Sequence, residues 1–119
     1  MNEGELILAL LHSATNSHIH HWQTTSYAQH VALGEYYEAI PGLVDDLVEA
    51  IIGKTGKVPE FPADYMKPAE TGLQELEEIS EYLQQERHKV LPQDSEIQNL
   101  VDEIQSQLDS TIFKLRRLK

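Results

Sequence analysis

The 119-residue chain is long enough for one hydrophobic core and too short for two, and its 40% hydrophobic and 24% charged residues fit a single folded domain over residues 1–119. Twenty acidic side chains against nine basic ones give a formal net charge of -11, which repels phosphate backbones and argues against a nucleic-acid partner. Cysteine is absent, no run approaches the ~20 apolar residues of a membrane span, and the start Asn2-Glu3-Gly4-Glu5 lacks the positive flank of a signal peptide, so a cytoplasmic protein without disulfides or membrane contact is expected.

From Glu5 to Trp22, Ile7, Leu10, Leu11, Ala14, His18 and His21 or Trp22 recur at helical spacing. This predicts a first helix whose buried stripe passes from aliphatic to imidazole, with His20 off the stripe, facing solvent or a neighbouring subunit. Gln23 to Ser26 form a short polar break in which Thr or Ser caps the next helix, and so short a link makes the two helices antiparallel. The second helix is predicted over Tyr27–Ile52 with Gly53 as its stop and a bend caused by Pro41. Its His30, Gly34, Tyr37, Pro41 and Val48 share one face, edged by Glu38, Asp45 and Glu49.

Residues 54–71, with Gly56, Pro59, Pro62 and Pro68, read as one long irregular connection able to return along a bundle. A third helix over Gly72–Val90 uses Leu73, Leu76, Ile79 and Leu83 as its seam, with Glu75, Glu77, Glu78 and Glu81 read as its solvated face. Pro92 ends it, Asp94 or Ser95 caps a fourth helix carrying Ile97, Leu100, Val101, Ile104, Leu108, Ile112, Leu115 and Leu118, and the closing Lys-Leu-Arg-Arg-Leu-Lys complements that helix's negative end. The expected architecture is an all-α four-helix bundle.

Chemistry concentrates between His18 and Glu49, which holds four of the six histidines, the one tryptophan and the Asp45/Glu49 pair one helical turn apart. Imidazoles with carboxylates and no thiol suit iron, manganese or zinc. Yet His30 and Asp45 lie fifteen residues apart on one helix, about 22 Å of rise, too far for one ion. An antiparallel second copy of that helix would bring His30 of one chain to Asp45 and Glu49 of the other, giving two equivalent sites in a homodimer or larger homo-oligomer. His18 or His21, from the end of the first helix, stands beside His30.

These residues resemble the Dps-type mini-ferritins of the ferritin-like superfamily, whose intersubunit iron site joins two histidines to an Asp-x-x-x-Glu pair of another subunit. His18, His30, Asp45 and Glu49 match that spacing without a gap, whereas His21-Trp22 matches the family's His-Trp motif, and the two registers exclude each other. The chain is also similar to small ferritin-like proteins encoded by bacteriophages. The resemblance covers residues 5 to 53 and implies a ferritin-like bundle with its long connection between the second and third helices, iron bound at His18 or His21, His30, Asp45 and Glu49, and ferroxidase-type oxidoreductase activity. Shorter length, no basic tail, Pro41 and the lack of Glu-x-x-His separate it from the family pattern. The alternative from another class is a non-catalytic helical interaction protein that keeps the bundle without metal chemistry. A magnesium-dependent nucleotide pyrophosphatase is excluded by motif, since Glu78-x-x-Glu81 has no following Glu-x-x-Asp.

Overall fold

A computed structural model describes residues 2–119 as four α-helices, α1 (Glu3–Gln23), α2 (Tyr27–Thr55), α3 (Gly72–Val90) and α4 (Ser95–Arg117), with no strand among the described residues. Three starts are held by side-chain caps: Asn2 Oδ1 accepts from the Glu5 amide at 2.9 Å, Ser26 Oγ from Gln29 at 3.2 Å and Thr71 Oγ1 from Gln74 at 3.1 Å. α2 runs through Pro41 without interruption and also through Gly53. The expected stop at Gly53 is therefore wrong. Gly56 is the residue that takes the left-handed conformation, φ 73°, donating its amide to the Ile52 carbonyl at 2.8 Å.

The apolar stripes set the packing. Leu6 and Leu10 of α1, Leu33, Ile40 and Leu47 of α2, Leu76 and Leu83 of α3, and Ile97 and Ile104 of α4 are all fully buried in one core. α1 packs on α2 and α3, and α4 packs on the same two, so α1 faces α4 and α2 faces α3 across the diagonals. Ion pairs at both ends fix direction: Lys54, closing α2, reaches Asp94 and Glu96 at the start of α4, while Lys114 of α4 reaches Glu35 near the start of α2 at 2.9 Å. α2 and α4 are thus antiparallel.

Gly72 opens α3 against Leu33, near the beginning of α2. Residues 56–71 must therefore travel from one end of the molecule to the other, and they do so across α1. The Glu60 carbonyl sits on Gly4, the Met66 amide donates to His12 Nδ1 at 3.1 Å, Asn16 Nδ2 donates to the Met66 carbonyl at 2.9 Å, and the Ala69 amide donates to Glu75 Oε1 at 2.9 Å. An irregular backbone has no partners of its own, so polar side chains on α1 and α3 satisfy it. No helix among the described residues is long and apolar enough to cross a membrane.

Candidate metal centre

The short link between α1 and α2 sets the last turn of α1 beside the first turns of α2. Thr24 Oγ1 donates to Gln29 Oε1 at 2.9 Å and accepts from the Ser26 amide at 3.2 Å, which holds the reversal. His21 then crosses onto α2, where Gly34 leaves room for it: a Cβ on Gly34 would lie 3.3 Å from His21 Cε1 and 3.4 Å from Nδ1. The His21 and His30 rings stack at 3.6 Å with 18° between their planes.

Their hydrogen bonds are reciprocal. His21 Nδ1 meets the His30 carbonyl at 2.5 Å, and His30 Nδ1 meets the His21 carbonyl at 2.8 Å. A carbonyl only accepts, so each Nδ1 carries the proton, and in the neutral rings each Nε2 keeps a lone pair. This is the tautomer and the outer support that a metal-binding histidine requires.

His18 is engaged differently. It lies flat on Tyr37, 3.9 Å between centroids and 8° between planes, with Trp22 at 4.3 Å and the His21 ring edge-on at 6.0 Å. The His21 ring thus stacks on His30, and His18 lies in an adjoining aromatic stack. Trp22 and Tyr27 are 68% and 82% exposed. Tyr36 is buried, its hydroxyl 2.8 Å from Ser13 Oγ, and burial pushes its phenol far above the usual range.

Asp45 and Glu49 lie farther along α2 on exposed surface. A hydrogen bond that the protonated Glu49 carboxyl donates to Asp45, and then the Asp45 charge, raise Glu49 above its usual value. Neither carboxylate meets a cation among the described residues. Nor do three His, Asp or Glu side chains converge on one metal-sized point there. The chain supplies an imidazole pair and, separately, a carboxylate pair.

Sequence reasoning missed a second polar group. His20, expected to face solvent or a neighbouring subunit, is only 4% exposed within the single chain, and Glu75, expected on a solvated face, is 9% exposed. Both turn inward because α3 packs on the side of α1 that carries Ser13, Asn16, Ser17 and His20, all buried. Glu75 Oε2 accepts from Asn16 Nδ2 at 3.3 Å, and Oε1 lies 3.8 Å from His20 Nε2. The signal was present: Leu6, Leu10, Ser13, Ser17 and His20 recur every three or four residues, but polar side chains at stripe positions read as surface.

The family described as a family of unknown function, DUF5856, matches residues 21–115. No curated protein and no solved structure matches the chain.

Proposed function

The chain belongs to DUF5856, a family of unknown function, and we propose that it is a ferritin-like, metal-binding protein that takes up ferrous ion at sites shared between two antiparallel copies. The observation that carries this reading is the reciprocal pair of imidazole-to-carbonyl hydrogen bonds. They fix both rings, protonate both Nδ1 atoms and leave both Nε2 atoms as donors for a cation. The carboxylates fit the same guest. Asp45 raises the neighbouring Glu49 carboxyl above its usual value, and a dication would relieve that crowding.

On this reading His21 and His30 of one chain provide neutral nitrogen, while Asp45 and Glu49 of a second chain provide negative charge. Fifteen residues of α2 separate the halves, about 22 Å, so the second chain runs the other way and two equivalent sites form. Gly34 seats His21, and the Tyr37–His18 stack walls one side of the imidazoles. Bound ferrous ion, with positions left open to dioxygen or peroxide, would supply ferroxidase-type redox chemistry. Manganese and zinc suit the same donors.

Anaerobic titration with ferrous ion, combined with mass in solution, tests the proposal. The expected result is a dimer or larger homo-oligomer, with His30→Ala and Asp45→Ala each removing one bound ion per chain. A monomer whose ion count ignores both substitutions overturns it. The exposed Trp22 and Tyr27 favour a competing reading, a helical bundle that docks a partner without metal chemistry. That reading predicts wild-type chain without ferrous uptake, and partner binding unchanged by His30→Ala.

A further inference from the structure

Charge is spread unevenly along the chain. Residues 110–119 carry four cations and no acid, whereas residues 1–109 hold all twenty acids and only five bases. Lys114 is tied to Glu35 and Arg116 to Glu77, but Arg117 and Lys119 meet no carboxylate among the described residues. The end of α4 is thus a basic pole on an acidic molecule, and it is also apolar. Tyr27 and Val31 at the start of α2 and Leu118 just past α4, all exposed, line one groove of about 360 Å³ with the Lys114–Glu35 pair in its wall. Exposed apolar side chains gathered at a groove and rimmed by charge mark an interaction surface.

The opposite end carries the complement. In the crossing segment Val58 and Phe61 are exposed, and Glu60 and Asp64 meet no cation among the described residues. This ridge is already shaped, because Pro59 and Pro62 fix two backbone angles and the Glu60 carbonyl rests on Gly4, so little freedom is lost on docking. Gly4 opens α1, and the short α1/α2 link sets the end of α1, not its start, beside Tyr27. Ridge and groove therefore lie at opposite ends of a molecule 45 Å long, too far apart for one chain to join them.

We propose that the groove of one copy takes the Val58–Phe61 ridge of a second copy, with Glu60 and Asp64 set against Arg117 and Lys119, so that copies join head to tail. Charge selects this pairing: groove on groove sets cation against cation, and ridge on ridge sets acid against acid. The net charge of -11 opposes contact elsewhere on the surface. Unlike patches meet, so no two-fold axis closes the pair. Each pair keeps one groove and one ridge free, and the assembly grows into an open row, or into a ring where the rotation closes. The contact uses none of His21, His30, Asp45 and Glu49, and it stands apart from the sharing of an ion.

The test uses the full chain carrying His30→Ala and Asp45→Ala, in chelator, so that association through a shared ion is absent. Sedimentation velocity should show this chain passing from monomer to trimers and longer species as concentration rises. Val31→Asp blocks the groove and Phe61→Asp the ridge, and each should weaken association at least about tenfold while the helical signal holds. An equimolar mixture of the two has one intact groove and one intact ridge that can meet, so it should give 1:1 dimers and nothing longer. Should either aspartate disturb the fold, Leu118→Ser and Phe61→Ser, both at exposed positions, read the same two patches. A chain that stays monomeric at millimolar concentration, association indifferent to both substitutions, or a mixture that remains monomeric overturns the proposal. A monomer that still binds a synthetic acidic peptide with a central phenylalanine assigns the groove to another protein and equally overturns the second copy as its occupant.

Discussion

Two glycine-to-alanine substitutions should change stability in opposite directions, and the reason is the path of residues 56–71. Gly4 lies where the Glu60 carbonyl crosses α1. A Cβ there would overlap the carbonyl oxygen and lie 2.6 Å from its carbon, with Phe61 Cα at 3.3 Å. These are backbone atoms, so no rotamer change relieves the clash. Ordinary carbon contacts begin near 3.5 Å, and the overlapping oxygen is nearer than the carbon, so the crossing segment must move by more than about 1 Å. Overpacking of this kind costs about 1–3 kcal/mol, and a rigid obstacle puts Gly4→Ala at the upper end, exceeding any gain in helix propensity. Gly53 lies inside α2 with nothing within 4 Å of a Cβ, so Gly53→Ala should stabilise by about 0.5–1 kcal/mol. Urea unfolding of both variants measures the signs, and hydrogen exchange of Met66 and Ala69 shows whether the segment has lifted. A neutral or stabilising Gly4→Ala would refute the placement of the crossing over α1.

Gly34→Ala should preserve the bundle yet lower ferrous affinity about tenfold, because the new methyl displaces the His21 ring by a few tenths of an ångström; isothermal titration checks this. Leu47, fully buried, should cost about 2–5 kcal/mol as Leu47→Ala in urea unfolding. Lys54 is raised above its ordinary pKa, first by its hydrogen bonds to Glu96 and Asp94, so its contribution is present at neutral pH and lost as pH rises through the raised value. Glu96 is lowered, first by its own backbone amide and then by Lys54, so its contribution is present above the ordinary carboxylate range and lost as pH falls through the lowered value. Lys54→Gln should therefore flatten stability against pH at both extremes, and an unchanged profile would show that the pair is fully screened.

The helices were legible because their signals are local. Gly72 to Val90 carries its apolar seam and is followed at once by the Pro92 stop, and the structure gives α3 those bounds. Gly53 misled because a glycine ends a helix only where the chain turns left-handed, and that choice fell three residues later, at Gly56. His20 and Glu75 misled for a tertiary reason: each is buried because α1 and α3 pack together, setting Glu75 of α3 against Asn16 and His20 of α1, and local spacing says nothing of that contact. Ring packing is what separates His18 from His21 in the structure. Tyr37 takes one imidazole and the gap at Gly34 admits the other, neither of which spacing alone expresses.

The sharing of an ion between chains is tested most directly by mixing two defective variants. His21→Ala/His30→Ala lacks the nitrogen half and Asp45→Ala/Glu49→Ala lacks the carboxylate half. Each alone should bind one ferrous ion per chain fewer than wild type, whereas a dimer containing one of each has one intact pairing and should regain one ion. Anaerobic ferrous titration of the equimolar mixture should show that partial recovery, accompanied by mixed dimers in native mass spectrometry. A mixture binding no more than the separate variants would contradict an ion held between antiparallel copies of α2.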